Sequence, residues 1–159
     1  MIEAQIAGRM EKSQLEEVLM TATVAKALVR RFCSEVFRNL SLAEEFIGAN
    51  YVDHNNVRGG RGVAVFRAHV EAVGRTFPDF SLKIEDMIAE GDKVVTRVTG
   101  RGTHSGRWMQ IEPTNAVVEA KGINIDRVVD GRIVEHWGEA DTVAMLLQMG
   151  VDPFAGRKG

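Results

Sequence analysis

A single cysteine, Cys33, occurs among the 159 residues, so the chain can form no internal disulfide. Its cysteine content therefore gives no indication of an oxidising compartment. No apolar run approaches the roughly 20 residues that a bilayer-spanning helix needs. The N-terminus carries Glu3, Glu11, Glu16 and Glu17 where a secretion signal has an apolar core. We expect a cytoplasmic protein with no membrane partner.

The chain also has no large excess of positive or negative charge. The net charge is -2 and the pI is about 6.1, which removes the electrostatic basis for binding a nucleic acid. The glycine-dense loop at residues 58–62 has neither the lysine of a phosphate-binding loop nor the spacing of a dinucleotide fingerprint, and we interpret it as the rim of a pocket.

Several catalytic and metal-binding patterns are also missing. No Gly-x-Ser-x-Gly nucleophile elbow occurs, and there is no His-x-His, His-x-x-x-His or paired-cysteine spacing. The sequence thus predicts neither a serine hydrolase nor a zinc site, and we expect no metal and no cofactor.

What is present is the composition of an ordinary globular protein, with 45% apolar and 26% charged residues. A chain of this length can bury a core and still enclose a ligand cavity. We divide it into a charged extension at residues 1–20 with loose helical periodicity, one domain at 21–150 and a flexible tail at 151–159.

Apolar spacing predicts helices first and strands later. Four-residue steps from Val24 through Leu28 and Phe32 to Val36 predict a helix from about Thr21. The other predicted elements are a short helix at 42–48 with Ser41 and Glu44 as a capping box, an extended segment at 51–54, a helix at 63–75, strands at 80–88, 93–104, 116–129 and 132–138, and a helix at 142–149 between an Asp141 cap and Gly150. Turns at 90–92 and 130–131 join the strands into hairpins. This order predicts an α+β fold with helices on one face of an antiparallel sheet.

The strand at 93–104 is expected to border a cavity. One of its faces carries Val94, Thr96, Val98, Gly100, Gly102 and His104. Glycines within a strand permit sharp bending and leave room beside the backbone, which predicts a strongly curved sheet with a cavity on its concave side. A simple bend without a cavity is the alternative. Arg97 and Arg101 lie on the opposite face.

The four histidines differ in whether the sequence favours a functional or a structural role. His54 follows an extended segment and His104 ends the glycine strand, and each can either point into a pocket or be structural. His69 lies on the polar side of a helix, which indicates a solvated residue. His136 alternates with Glu135, so the two side chains are expected to face opposite ways.

Six short motifs stand in a fixed order: Tyr-Val-Asp-His at 51–54, Phe-Pro-Asp at 77–79, Ile-Ala-Glu-Gly-Asp-Lys-Val-Val at 88–95, Gly-Thr-His-Ser-Gly at 102–106, Pro-Thr at 113–114 and Asp-Gly-Arg-Ile-Val-Glu-His-Trp at 130–137. Together they resemble the SnoaL-like polyketide (ester) cyclases over about residues 25–150. The resemblance implies a cone-shaped α+β barrel of the nuclear transport factor 2-like superfamily. In it a strongly curved antiparallel sheet packs on three N-terminal helices, a short C-terminal helix follows, and the chain forms a dimer or tetramer.

The resemblance also implies a chemistry. These cyclases close a ring by an intramolecular aldol step on a hydrophobic small molecule without metal or cofactor, and a carboxylate in an apolar pocket moves the proton. That carboxylate directly follows the His-Trp pair, and a second polar residue lies in the preceding strand. The matching positions here are Gly138 and Asn124. Glycine has no proton to move, so the usual mechanism cannot be carried over unchanged.

Asp126 is our candidate for the missing acid. We hypothesise that Asp126, or His136 or His104 beside it, carries the proton transfer, and that Asp126 packs against apolar side chains that keep its carboxyl protonated near neutral pH. Those side chains are Trp108, Met109 and Trp137. The predicted substrate-binding residues are Asn124, His54, Trp108, Met109, Trp137, Phe77 and Tyr51.

Three functions remain open at this point. The first is a cofactor-independent enzyme that cyclises, isomerises or dehydrates a hydrophobic carbonyl compound. The second is a ligand-binding or assembly protein that kept the pocket and lost the acid, for which Gly138 and Asn124 are the sequence argument. The third is an epoxide hydrolase or dehydratase on the same fold. In each case we expect a homo-oligomer, because one face of the curved sheet has to be covered.

Overall fold

The computed structural model describes residues 12–56 and 58–155. Its elements are α1 (Lys12–Glu35), a 3-10 turn (Leu40–Leu42), α2 (Ala43–Phe46), β1 (Ile47–Asp53), α3 (Val63–Thr76), β2 (Ser81–Glu90), β3 (Lys93–Thr103), β4 (Val117–Val129), β5 (Arg132–Ala140) and α4 (Thr142–Gln148). None of these helices, within the described part of the chain, is both long and apolar enough to cross a membrane.

The five strands form one sheet in the order β1-β5-β4-β3-β2. Strands β2 to β5 pair antiparallel with their neighbours, whereas β1 pairs parallel with β5. Register shifts place an extra residue in β2 between Ile84 and Asp86 and in β5 between Ile133 and Glu135, and such bulges bend and twist a strand. The predicted α+β class and curved sheet are confirmed. The sheet is nevertheless open rather than closed into a barrel, because β1 and β2 form its two edges.

The β4–β5 hairpin turns where the sequence predicts it. Asp130 has φ 50° and Gly131 has φ 69°, the pair of positive φ values that a two-residue type I′ turn requires. Glycine and aspartate tolerate this left-handed backbone better than branched residues do. The turn therefore fixes the register in which β4 and β5 meet.

The main core lies between the helices and the concave face of the sheet. Its fully buried members are Val29, Val36, Ala43, Phe46, Ile47, Val94 and Ile133. Alternate residues of β3 from Val94 to Gly102 are buried, as the period of two predicts. The ring of Phe32 on α1 contacts the rings of Phe46 and Phe66, which joins the three N-terminal helices.

The N-terminal elements depart from the sequence-based boundaries. Helix α1 begins at Lys12, so the later part of the predicted extension belongs to it, while residues 1–11 lie outside the described residues. The predicted helix at 42–48 is shorter, because the buried Ile47 already begins β1. The predicted cap is wrong too: Asn39 Oδ1 accepts hydrogen bonds from the backbone N–H of Ser41 at 3.2 Å and from its Oγ at 2.7 Å.

The last helix ends as predicted. Asp141 accepts a hydrogen bond from the N–H of Ala144 at 2.9 Å and so caps the N-terminus of α4. Gly150 follows the helix with φ 78°, the left-handed conformation of a C-terminal cap. Of the predicted tail, residues 152–155 form a turn closed by Ala155 N–H on Asp152 O at 3.2 Å, and residues 156–159 lie outside the described part.

The glycine face of β3 packs against aromatic rings. A Cβ at Gly100 would lie 3.0 Å from the Phe80 ring, and one at Gly102 would lie 2.8 Å from Phe77 Cβ. The expectation that these glycines leave room for a cavity is therefore wrong at this end of the strand. They permit two phenylalanines to approach the backbone instead.

Candidate functional site

The register of β3, β4 and β5 places two rows of residues side by side on the concave face. One row contains Val94, Asp126 and His136, and the next contains Thr96, Asn124 and Gly138. Directly opposed side chains on one face of a sheet have Cβ atoms about 4.5–5.5 Å apart. Four positions from the sequence-based hypothesis, namely Asn124, Asp126, His136 and Gly138, thus meet in one place.

Asp126 and His136 form a hydrogen-bonded pair. His136 Nδ1 lies 2.8 Å from Asp126 Oδ1, Asp126 is 2% exposed and the His136 side chain is 23% exposed. When Asp126 is ionised its oxygens can only accept hydrogen bonds, and in that state Nδ1 of the neutral ring carries the proton and Nε2 is the free end. Burial lowers the pKa of His136, but the hydrogen bond and charge of Asp126, with the charge of Asp53, outweigh it and hold the pKa above its ordinary value.

The free end of His136 stands in the space that a side chain at position 138 would take. A Cβ built on Gly138 would lie 2.7 Å from His136 Nε2 and 2.9 Å from Asn124 Oδ1. Within the described residues Nε2 has no hydrogen-bond partner. The imidazole therefore stands beside the position where the family resemblance puts a carboxylate, and it can give or take a proton there.

Asn55 holds the backbone beneath this site. Its Oδ1 accepts a hydrogen bond from Gly138 N–H at 2.7 Å, and its Nδ2 donates one to Gly138 O at 2.5 Å. The amide thus binds Gly138 as a neighbouring strand would. No local pattern links position 55 to position 138, so Asn55 is not among the residues that the sequence predicts for the site.

Other side chains border the pair on the side of β1 and α3. Tyr51 is buried, and desolvation followed by the charges of Asp53 and Asp126 raises its pKa. His69 on α3 is accessible to solvent, as predicted, yet desolvation by the surrounding protein lowers its pKa. The charge of Asp53 raises the pKa of His69 and that of His136 lowers it. His69 on α3 is thus close enough to the pair for its pKa to respond to the charge of His136.

His104 is not brought to this site. It lies ten residues along the chain from Val94, the residue paired with Asp126, which is about 30 Å on an extended strand. His104 is fully buried, its Nδ1 is 3.0 Å from Thr114 Oγ1 and accepts a hydrogen bond from Thr114 N–H at 3.3 Å, and its ring lies 5.8 Å from that of Phe77. These contacts bind the end of β3 to the loop before β4.

The expected apolar surroundings of Asp126 are also different. Trp108 and Phe77 belong to a second apolar cluster with Val118 and Met149, and Met109 is 77% exposed. That cluster lies near His104 at the far end of β3. Within the described residues no three His, Cys, Asp or Glu side chains come together as metal ligands.

His54 and Trp137 lie on the other side of the sheet. Their rings stack at 4.4 Å between centroids, because Trp137 alternates with His136. His54 Nε2 is 3.0 Å from Glu135 Oε2, and Arg127 also binds Glu135. Hydrogen bonds from Arg127 and His54 lower the pKa of Glu135. Glu135 therefore faces away from His136, as the alternation predicts.

Comparison with known proteins agrees with this architecture. A family model described as SnoaL-like polyketide cyclase matches residues 27–149. The chain belongs to the SnoaL-like polyketide cyclase family. Membership supports a cyclase-like role on a small molecule. No curated protein matches the chain.

Solved structures of the SnoaL-like fold align with most of the chain. IdmH from Streptomyces antibioticus, a candidate polyketide cyclase, is 32% identical with a TM-score of 0.69 and covers 80% of this chain and 99% of its own. TsrD from Streptomyces laurentii is 26% identical with a TM-score of 0.73, covering 80% and 96%. AclR from Streptomyces galilaeus, a candidate hydroxylase, is 28% identical with a TM-score of 0.73, covering 83% and 88%.

Proposed function

We propose that this SnoaL-like protein is a cofactor-independent enzyme that moves a proton on a hydrophobic carbonyl compound, as in a cyclisation or isomerisation. The observation that carries the proposal is the position of His136. Its Nδ1 is bound to a buried Asp126 at 2.8 Å, and its Nε2 stands in the volume left by Gly138. The histidine takes over the task of the carboxylate that this chain lacks.

The proposed reaction uses both states of the imidazole. Neutral His136 takes a proton at Nε2 from the carbon next to the substrate carbonyl, and the electron pair of that C–H bond becomes an enolate. Asp126 stays ionised, holds Nδ1–H and stabilises the imidazolium. The imidazolium then returns the proton to the carbon or oxygen that carries the negative charge after rearrangement. Asp126 is thus a positioning residue in this scheme, rather than the protonated acid of the sequence-based hypothesis.

Hydrogen–deuterium exchange at the α-carbon of hydrophobic aryl ketones tests the proton transfer without knowledge of the natural substrate. Because a positioned acid or base contributes about 100-fold or more to such a step, His136→Asn should lose about that factor in protein-catalysed exchange. His104→Asn is the matched control, since His104 lies at the other end of β3. An unchanged exchange rate in His136→Asn would contradict the proposal.

Asp126→Asn separates positioning from catalysis. Removing the carboxylate removes the hydrogen bond and charge that raise the pKa of His136. The limb of the pH–rate profile that reports His136 should therefore move to lower pH. A limb that stays in place would show that Asp126 does not act through His136.

A non-catalytic ligand-binding protein is the second candidate, and the missing carboxylate at Gly138 favours it. In that case the wild-type protein would bind the ketones, but the rate of α-carbon exchange would not exceed the rate in buffer alone. His136→Asn would bind the ketones equally well. The two candidates thus differ in a single assay.

We also propose that the protein is a cytoplasmic homodimer formed through the convex face of the sheet. Ile88, Val95, Ile125 and Trp137 lie opposite one another across four strands on that face, which we name the outer row. Ile88 is 63% exposed and the neighbouring Ile123 is 53% exposed. Burial of such a surface against a second copy would remove it from water.

A further inference from the structure

Thr96 is a buried polar residue whose hydroxyl group has no evident structural role. Its side chain is fully buried, and Oγ1 has no hydrogen-bond partner among residues 12–56 and 58–155. The other two threonines of β3 are satisfied: Thr99 donates to Glu85 at 2.9 Å and Thr103 to Asp79 at 2.7 Å. A buried hydroxyl without a partner lowers stability, so its presence calls for an explanation.

The neighbours of Thr96 on the same face show what the fold alone would favour. Val94 and Val98, two residues to either side, are buried and apolar. Valine has almost the same shape as threonine, and it would fill the position without leaving a hydroxyl unpaired. The hydroxyl is therefore the feature that packing does not account for.

Thr96 belongs to the row that contains the site. It is paired with Asn124 on β4, and Asn124 is paired with Gly138 on β5. Thr96 and Asn124 do not bond each other, and the Asn124 amide has no hydrogen bond within the described residues. Because directly opposed Cβ atoms are about 4.5–5.5 Å apart, the hydroxyl and the amide can both reach one acceptor atom placed between them.

We propose that the Thr96 hydroxyl and the Asn124 amide together bind the substrate's carbonyl oxygen and the negative charge that develops on it. The inference rests on the proposed function, in which His136 takes a proton from the carbon beside that carbonyl. Two donors aimed at an oxygen stabilise the enolate more than the ketone, which is the requirement for catalysis by an oxyanion-type site. The site would thus select ligands that carry an acceptor oxygen next to the carbon facing His136.

Entry of such an oxygen requires a neighbouring side chain to move, because Thr96 is fully buried. On β2, Met87 stands directly opposite Thr96 and is partly buried. Methionine is unbranched and readily changes rotamer. In this proposal a ligand oxygen reaches the hydroxyl by displacing the Met87 side chain.

Binding of 4-nitrophenolate tests the inference, because this ion has a negatively charged phenolate oxygen whose charge is delocalised into an adjoining π system, as that of an enolate oxygen is, and it can be followed by its visible absorbance. Wild-type protein should bind it more tightly than 4-nitrotoluene, which keeps the nitro group and lacks the phenolate oxygen. Thr96→Val should weaken nitrophenolate binding by about 10- to 100-fold, the usual effect of a hydrogen bond to a charged acceptor. Thr96→Ser should keep most of the affinity.

The control is Thr99→Val, which removes a hydroxyl from the opposite face of the same strand. It should leave nitrophenolate binding unchanged. Thr96→Val should also keep or raise the thermal midpoint of unfolding, which a residue serving only the fold would not do. If Thr96→Val does not fold, Asn124→Leu provides the same test and should show the same loss of binding.

The outcomes separate this inference from the proposed function. Wild-type affinity in Thr96→Val, or no preference of the wild type for nitrophenolate over nitrotoluene, would overturn the inference whatever His136→Asn does to ketone exchange. Loss of binding in Thr96→Val together with undiminished exchange in His136→Asn would support the oxygen site and reject the role of His136.

Discussion

At the scale of single residues, Asp126 and His136 each account for a property of the other: His136 for the burial of the carboxylate, and Asp126 for the orientation of the imidazole. A carboxylate that is 2% exposed is costly to bury unless it is paired, and His136 supplies a partner at 2.8 Å. In return the carboxylate determines which imidazole nitrogen is free. The glycine at 138 is the third member of this arrangement, because any larger residue would compete with Nε2 for space.

Gly138→Ala tests that competition. The added methyl group would lie 2.7 Å from His136 Nε2, so the imidazole or the Asn124 amide must move. We expect ketone exchange to be lost and the free energy of unfolding to fall by about 1–3 kcal/mol. Chemical denaturation and the exchange assay measure the two effects.

The matched control is Gly74→Ala on α3, where a Cβ meets nothing within 4 Å. Alanine is the better helix former, so this variant should gain about 0.5–1 kcal/mol and keep full exchange. Equal behaviour of the two variants would contradict the steric argument at Gly138.

The stability of the pair should depend on pH in a defined direction. The folded state raises the pKa of His136, so it binds that proton more tightly than the unfolded chain does. The stabilisation is fully present below the unfolded pKa of about 6.5 and is lost as the pH rises through the folded value.

We therefore expect the difference in unfolding free energy between wild type and His136→Asn to be largest near about pH 6 and to shrink towards about pH 9. Urea denaturation across this range measures it. A difference that grows with pH would mean that the histidine is held neutral in the folded state.

At the scale of elements, the site depends on how β5 is held from both sides. The β4–β5 hairpin sets Asp126 opposite His136, and Asn55 binds the backbone of Gly138 from the segment after β1. Parallel pairing of β1 with β5 brings Asp53 opposite His136 and carries Asn55 to the strand. The N–H and C=O of Gly138 are thus satisfied where the regular pairing of β1 ends.

Asn55→Asp should weaken this connection. One carboxylate oxygen can still accept from Gly138 N–H, but the other would face the Gly138 carbonyl oxygen and could not donate to it. We expect a loss of about 1 kcal/mol in unfolding free energy. Asn50→Asp is the control, because Asn50 is exposed and makes no side-chain hydrogen bond in the described part of the chain. Equal losses in the two variants would assign the effect to charge alone.

At the scale of the whole molecule, the two faces of the sheet have different tasks. The concave face packs on the helices and carries the site, whereas the convex face carries the outer row and charged residues such as Arg97 and Glu139. His54 stacks on Trp137 at one end of the outer row. His54 and Trp137, which the sequence predicted to bind substrate, thus lie on the face that we propose as the interface with a second copy.

Ile123→Lys tests that assignment. Ile123 is 53% exposed in the middle strand, and a charge there would have to be buried in the proposed interface. Sedimentation velocity should show a dimer for the wild type and a monomer for Ile123→Lys. Val143→Lys, at a 43% exposed position on α4, should remain dimeric. A monomeric wild type would reject the proposed interface.

The sequence by itself determined those features that depend on neighbouring residues. Helical spacing, the Asp130-Gly131 turn, the Asp141 cap and the alternation along β3 are local patterns, and each appears in the structure. They were enough to predict the fold class and to put Asp126, Asn124 and His136 on one face, because a tight hairpin leaves little freedom in register.

Only the tertiary structure decided which of the candidate residues meet. Alternation assigns a side chain to one face of the sheet, but it does not show which residues of neighbouring strands lie opposite each other. It therefore could not show that His104 lies ten residues along the chain from Val94, the residue paired with Asp126. The contact between Asn55 and Gly138 spans 83 residues, and the space beside Gly138 is filled by a histidine two positions earlier. Such contacts are set by the curvature and packing of the entire sheet, which no local stretch of sequence contains.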